Sequence, residues 1–432
     1  MASVATVRNC CCHRAGNRGF SNVGTGAALR SWQRRIFLTC WLTYASFYLC
    51  RVNLPVALPA IQGEFGWSKA EMGLIGSALF WVYACGQFIN GQLGDRWRAR
   101  PFVAAGLLAS VALNVAFGFA TSLPLMVILW GANGYFQSTG WGPIVRTISH
   151  WLGLARRGRI SALLGSSYML GHVGSWLLAG WLTVRWGWRA AFWIPAALAA
   201  LSTLHWLVRI RNAPQDAGLA PPMGANDAPS TDGNGLQGVL HRTFAHPRLR
   251  WAAMTNATQG FVQGSAVLWV PTYLIEVLRM DIGSAAMSAV ALPLCGLAGV
   301  LIAGWASDRF FRSRVAPTAA LMMAGLAASI MMTRFLAPMG GPAMALWGLI
   351  GALTHGIGSL LVTVLPLSLT REGGVSSAAG FLDFAGYVGA GIGGLLTGVL
   401  MDGWGWDAAF VCWAVVALLG SAATVPLSRS EQ

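Results

Sequence analysis

Acidic residues are scarce in this chain. Only 14 aspartates and glutamates stand among 432 residues, lysine occurs once, at Lys69, and all charged residues together make up 10% of the sequence. Set against 55% hydrophobic residues and a mean hydropathy of +0.57, that is too little charge for a soluble globular protein of this size, and that class is excluded. The apolar runs also lack paired acids, a nucleophile constellation or metal-ligand spacing, so neither an enzyme nor a bound metal or cofactor is expected. Five of the eight cysteines, Cys40, Cys50, Cys85, Cys295 and Cys412, fall inside apolar runs, where they read as reduced packing residues and not as a disulfide framework.

The amino-terminal "NCCCHR" admits metal binding or lipidation, but no second ligand cluster accompanies it. Residues 1–30 contain Arg and Ser and no acid, which suits an organellar targeting peptide or a start assigned too early, and they are set aside as a tail that is disordered or mis-assigned.

What is present is a series of apolar runs, each enough for the roughly 20 residues of a spanning helix. They extend over Ile36–Ile61, Met72–Leu93, Phe102–Ala120, Pro124–Ile148, Ile160–Val184 and Ala190–Val208. A second set covers Trp251–Leu278, Ser284–Trp305, Ala316–Phe335, Pro342–Pro366, Ser376–Met401 and Ala408–Pro426, making twelve spans. The formal charge of +15 would suggest a nucleic-acid partner if it formed one patch. Instead arginines cluster in alternate connections (Arg30, Arg34 and Arg35; Arg96, Arg98 and Arg100; Arg156, Arg157 and Arg159; Arg209 and Arg211; Arg309, Arg312 and Arg314), while "ATSLP", "APMGGP" and "MDGWGWD" are free of them. This is the positive-inside pattern with both termini cytoplasmic, and no nucleic acid is expected. The near-absence of lysine beside many arginines points to a GC-rich genome and so to a bacterial inner membrane.

Residues 210–247, rich in Pro, Gly, Asn and Asp, read as a cytoplasmic linker between residues 31–209 and 248–428. The halves repeat one another. "WGWRAAF" at 186 returns as "WGWDAAF" at 404, "GHVG" at 171 as "GYVG" at 386, and Gly91, Asp95 and Arg96 as Gly304, Asp308 and Arg309, all at offsets of 213 to 218 residues. Two parallel six-span repeats resemble the major facilitator superfamily, an all-α membrane fold of two pseudo-symmetric six-helix bundles that rock about a midplane site. The repeated Gly-x-x-x-Asp-Arg resembles its loop signature and implies a conformational latch formed by Asp95, Arg96, Asp308 and Arg309; ordinary positive-inside topology is the alternative. Gly394-x-x-x-Gly398 implies close helix packing.

Arg51 lies ten residues or more from either end of its span, where a charge costs about 3 kcal/mol or more. Tyr44, Tyr48 and Arg51 share one helix face, two phenols and a guanidinium fork suited to capturing phosphate or carboxylate; a structural ion pair with a helix acid is the competing reading.

The segments "WQRRIFLTCWLTYASFYLCRVNL", "GWGPIVRTISHW", "PQDAGL", "WVPTYL" and "SAAGF" resemble the organophosphate:phosphate antiporter family over nearly all of residues 32–428. The resemblance implies that Arg51 binds substrate phosphate and that a partner arginine would come from span 7. Gln263 stands at that position, Gln87 where relatives often offer lysine, and Tyr168 where they can offer histidine. With three cationic positions neutral, a substrate less anionic than a phosphate dianion is expected.

Asp383 in span 11 has three open readings: a proton-carrying site, a contact for a substrate ammonium or hydroxyl, or a structural partner of a helix terminus. A zwitterion such as an aminophosphonate would use it together with Arg51. His172 and His355 are candidate proton relays or satisfied packing residues. Gln137 and Trp141 in span 4 and Gln259 and Gln263 in span 7 complete the expected cavity lining. The function expected is secondary active transport of a small organic anion (phosphate ester, phosphonate or carboxylate) by a monomer, coupled to inorganic phosphate or protons. A membrane sensor that binds sugar phosphate without transporting it is the alternative.

Overall fold

The computed structural model describes residues 22–152, 157–220, 247–336, 341–368 and 375–430, and all regular structure among them is helical. The first bundle comprises α1 (Asn22–Leu49), α2 (Leu54–Phe65), α3 (Lys69–Arg96), α4 (Ala99–Phe119), α5 (Leu123–Gln137), α6 (Trp141–Leu152), α7 (Arg157–Trp186) and α8 (Ala190–Arg209). The second comprises α9 (Pro247–Glu276), α10 (Ile282–Ala289), α11 (Ala291–Phe311), α12 (Val315–Leu336), α13 (Gly341–Ser359), α14 (Leu365–Ser368) and α15 (Val375–Ser430). Gly405, with φ 76° and ψ −173°, interrupts α15, which therefore holds spans 11 and 12.

Twelve spans in two six-helix bundles result, with α1 and α2 forming span 1, α5 and α6 span 4, α10 and α11 span 8, and α13, a π-helical turn (Leu360–Val364) and α14 span 10. Among the described residues, seven stretches qualify as membrane-crossing by length and hydropathy alone, the last of them, Ala378–Ser428, covering two spans. Spans 1, 4, 5 and 7 lie outside that set.

The breaks follow from proline. Pro55 has no N–H to offer the carbonyl of Arg51 one turn earlier, and its ring crowds that carbonyl. The helix therefore opens between Leu49 and Leu54. The carbonyl of Cys50 is taken up by Asn133 Nδ2 at 2.8 Å and Asn114 Nδ2 at 3.1 Å, and Asn53 Nδ2 donates to Asn114 Oδ1 and to the Ala191 carbonyl. Pro143 does the same to span 4, which breaks between Gln137 and Trp141. There Asn90 Nδ2 donates to the Tyr135 carbonyl and to Ser138 Oγ. Freed backbone groups at membrane depth are thus satisfied by side chains of the same bundle.

The bundles meet along α3 and α15. A Cβ on Gly398 would meet the Lys69 carbonyl oxygen, and one on Gly394 would come within 2.8 Å of Ser77 Oγ, so the small-residue pair predicted for packing is one of the places where the two bundles touch. At the arginine-poor end Asp402 caps α3, accepting from the backbone N–H groups of Lys69 (3.0 Å) and Ala70 (2.7 Å), and Lys69 pairs with Glu276 at 3.1 Å. Among the described residues no hydrogen bond or ion pair crosses between the bundles nearer the arginine-rich end than Gln87–Asp383. One turn further, Gly91 and Gly380 face open space. Cross-bundle polar ties are thus concentrated at the arginine-poor end and around Gln87 and Asp383.

α1 begins at Asn22, so residues 22–30 of the predicted tail are helical; residues 1–21 lie outside the described residues. The start of the linker packs on the first bundle: Trp151 Nε1 donates to the Arg211 carbonyl, Asn212 Oδ1 accepts from the Arg100 N–H, and Pro214 is buried. Residues 221–246 lie outside the described residues.

Candidate functional site

The break in span 1 delivers Arg51 into the contact between bundles, where it is only 8% exposed. Its guanidinium lies over three phenol rings, 4.0 Å from the centroid of Tyr83, 5.2 Å from Tyr48 and 5.5 Å from Tyr387. Nη2 donates a 2.6 Å hydrogen bond to the hydroxyl of Tyr387 on the second bundle. Aromatic faces hold a cation without neutralising it. Tyr83 and Tyr387 themselves pack at 4.4 Å between centroids.

The nearest acid is Asp383. It is close enough to act on Arg51 electrostatically, yet no ion pair joins them among the described residues. Its Oδ2 instead accepts from Gln87 Nε2 at 3.0 Å, and the same Gln87 nitrogen donates to Tyr83 Oη at 3.1 Å. A continuous path therefore runs Asp383, Gln87, Tyr83, Arg51, Tyr387. Toward the arginine-poor end it is capped by Leu54, Pro55, Leu79, Phe80, Trp130, Val267 and Leu268, around a void of about 30 Å³, room for about one water.

Around this centre the aromatic residues of span 1 extend the lining. Tyr44 lies 5.9 Å from Tyr48 and 4.8 Å from Trp141, and Tyr48 lies 5.9 Å from Tyr168 and 6.1 Å from His172. Tyr83 and Tyr387 were not singled out from the sequence. Each sits one helical turn from a residue that was, Tyr83 from Gln87 and Tyr387 from Asp383, and that i, i+4 spacing was the available signal.

Gln137 is not part of this group. It is 2% exposed and its Nε2 donates to the Phe47 carbonyl (3.1 Å) and to Ser110 Oγ (2.8 Å), tying span 4 to spans 1 and 3 inside the first bundle. Its amide nitrogen is used for bundle cohesion while its Oε1 stays buried without a partner among the described residues, a distinction from cavity lining that the cost of an amide in lipid alone does not draw. Gln259 is likewise buried, its Nε2 donating to Gln263 Oε1 and the Thr354 carbonyl, both at 2.8 Å. Gln263 is half-buried, one turn from Val267, which lines the small void beside Arg51.

The profile of the Major Facilitator Superfamily matches residues 40–372. The chain belongs to that superfamily. It is 31% identical over 409 residues to the glycerol-3-phosphate transporter of Bacillus subtilis, covering 89% of this chain and 90% of that one. It is 28% identical over 418 residues, 94% of each chain, to the membrane sensor protein UhpC of Escherichia coli. The fold is similar, with a TM-score of 0.75 at 16% identity over 92% of this chain and 97% of the other, to an inward-facing, occupied structure of a bacterial homolog of the human lysosomal transporter Spinster.

Within this superfamily fold Arg96, Asp308 and Arg309 of the proposed latch lie exposed at the arginine-rich end. Asp308 accepts from Ser313 Oγ at 2.8 Å, and the side chain of Asp95 lies outside the described residues. Arg146 of α6 holds the end of α3, donating to the carbonyls of Gly94 (2.5 Å) and Trp97 (3.1 Å).

His172 stands edge-on to Trp176 at 4.5 Å, with Nε2 buried and unpartnered. His355, from the other bundle, is near enough for the two imidazoles to interact electrostatically. Its Nδ1 is 2.9 Å from the Gly351 carbonyl, which fixes that nitrogen as the protonated one. Among the described residues no cluster of three or more metal-ligating side chains occurs.

Proposed function

We propose that this superfamily member is a secondary active transporter of a small organic anion (phosphate ester, phosphonate or carboxylate), which enters from the arginine-rich side and is bound by Arg51 between the bundles. The observation that carries this reading is the charge of Arg51, buried at membrane depth among the rings of Tyr48, Tyr83 and Tyr387 with no ion-pair partner among the described residues. A structural arginine would have a carboxylate; one kept for a ligand is left with hydrogen-bonding and aromatic neighbours that an anion can supplement or displace.

The neutral Gln87 and Gln263 and the nearby Asp383 favour a ligand with a single net negative charge, or a zwitterion whose cationic group approaches Asp383. The substrate named for the Bacillus relative, glycerol 3-phosphate, supports the phosphate ester, taken as its monoanion, as first choice among the three. Inorganic phosphate or a proton is the coupling species, and Asp383 with the His172 and His355 pair are the groups that would carry a proton. The protein functions as a monomer in a cell inner membrane with both termini in the cytoplasm, as the arginine distribution favours.

Uptake of glycerol 3-phosphate into phosphate-loaded proteoliposomes tests the assignment. Arg51→Ala is expected to abolish uptake, and Gln263→Arg to shift preference toward more highly charged esters. Equal uptake by the alanine variant would remove Arg51 from the site. The likeness to a membrane sensor favours a second reading, in which sugar phosphate binds without crossing; binding with no flux in the same vesicles would select it.

A further inference from the structure

Spans 1 and 6 lie side by side, joined mid-membrane by Ser46 Oγ and Ser202 Oγ at 2.9 Å. Each turns an apolar stripe outward, Leu38 and Leu42 on α1 and Leu201, Leu204 and Val208 on α8, all exposed. At the arginine-rich end this shared surface runs into four basic side chains: Arg35 from α1, His205 and Arg209 one turn apart on α8, and Arg211 just beyond it.

These groups work against one another. Arg209 and Arg211 both act electrostatically on Arg35, and Arg209 and Arg35 on His205. None of the three arginines has an ion-pair partner among the described residues. Arg211 Nη1 is used on the carbonyls of Val208 and Ile210, and the neighbouring Asp216 accepts from the backbone of Asn212. Two nitrogens, Arg35 Nε and His205 Nδ1, are buried without any hydrogen-bond partner. Converging like charges with orphaned buried nitrogens is a costly arrangement unless an anion supplies the missing oxygens.

We propose that the cleft formed by Arg35, His205, Arg209 and Arg211 binds the phosphate of an anionic phospholipid, its acyl chains lying along Leu38, Leu42, Leu204 and Val208. The position favours lipid over a dissolved anion, because the charged cluster opens onto lipid-facing apolar side chains. Trp32 provides the floor: Arg35 lies 4.5 Å over its ring, and Trp32 in turn stacks on Trp151 at 5.7 Å, an aromatic pair of the kind that settles at headgroup level. Basic pockets between spanning helices recognise acidic headgroups by this chemistry.

Thermal unfolding of the purified full-length protein in detergent tests the proposal, with phosphatidylglycerol, phosphatidylcholine or inorganic phosphate added. A ligand specific to the folded state raises the midpoint by mass action. Phosphatidylglycerol is expected to raise it by several degrees over phosphatidylcholine in the wild type and in Arg98→Gln, a one-charge control at the same end matched to Arg209→Gln alone, and to lose most of that effect in Arg35→Gln/Arg209→Gln. Native mass spectrometry of the exposed-site single variant Arg209→Gln, which should retain fewer phosphatidylglycerol adducts than the wild type, gives a second readout if the double variant does not fold. An undiminished phosphatidylglycerol effect in the double variant, an equal loss in Arg98→Gln, or the whole effect reproduced by inorganic phosphate would overturn the lipid site.

Discussion

The hydroxyl of Tyr387 accepts a 2.6 Å hydrogen bond from Arg51, and the bond joins the two bundles at the depth where the charge is most expensive. It links the proposed anion site to the contact that any rocking motion must break. A bond to a charged group contributes about 1.5–3 kcal/mol. Tyr387→Phe keeps the ring against Tyr83 and removes only that bond, and uptake is expected to fall about tenfold or more, since 1.4 kcal/mol corresponds to that factor. Unchanged uptake would show the bond to be incidental.

Arg51→Lys preserves the charge and loses the planar fork. A point-charge ammonium cannot bond Tyr387 and a two-oxygen ligand in the same geometry. The variant should fold, with a midpoint within a few degrees of the wild type, and bind glycerol 3-phosphate at least tenfold more weakly by calorimetry. Wild-type affinity would mean that charge alone is needed.

Pro55→Ala restores a donor for the Arg51 carbonyl and allows α1 and α2 to run together. The expected outcome is a protein at least as stable as the wild type but without uptake, because Arg51 is rotated from the phenols. Asn133→Ala acts oppositely, leaving the Cys50 carbonyl a poorer set of partners at a cost of about 1–3 kcal/mol, read as a lower unfolding midpoint. A Pro55→Ala protein with full uptake would show that the break does not position the arginine.

At the arginine-poor end, Asp402→Ala removes the cross-bundle acceptor at the start of α3 and, among the described residues, leaves Lys69–Glu276 as the polar tie there. A cysteine placed at the buried Ser77, behind that contact, should then react faster with a membrane-impermeant maleimide applied from that side. No change in labelling would indicate that the apolar packing of Gly398 and Trp269 holds the end shut without Asp402.

Glu64, beyond the first span, takes a bidentate pair of 2.7 Å bonds from Arg189 and a third from Trp188 Nε1. Arg189 first, then Trp188, holds its carboxyl down at about 2. A depressed carboxylate stabilises the fold above its unfolded value, about 4.3, and that contribution is lost as pH falls through about 2. The pair is part-exposed, so its worth is about 1 kcal/mol or less. Wild type minus Glu64→Gln should give a constant difference in midpoint from pH 7 to pH 5 that shrinks below about pH 4. A difference that grew on acidification would contradict the ion pair.

Much of the architecture was legible because membrane insertion leaves few options. Runs of apolar residues must be helices when no water is present to satisfy the backbone, and alternating arginines give them a consistent sidedness. The Gly394 and Gly398 pair announced a close approach for the same kind of reason, though not that its partner would be α3 of the other bundle. Arg51 stood out because its charge is too costly at that depth to be incidental. Gln137 shows where such reasoning stops: an amide in a span needs partners, and cost alone does not say whether they come from a ligand or, as here, from Phe47 and Ser110.

The linear chain by itself determined the number of spans, their pairing into two repeats and the residue whose charge had to be accounted for, since each follows from the free energy of placing groups in hydrocarbon. Tertiary structure alone decided that Pro55 opens span 1 beside that charge, that Tyr83 and Tyr387 are its neighbours, and that Asp383 is turned to Gln87 and not to Arg51. Those outcomes depend on which faces of α1, α3 and α15 meet, and that is set by shape complementarity between helices more than three hundred positions apart, where one glycine more or less changes how closely two backbones approach.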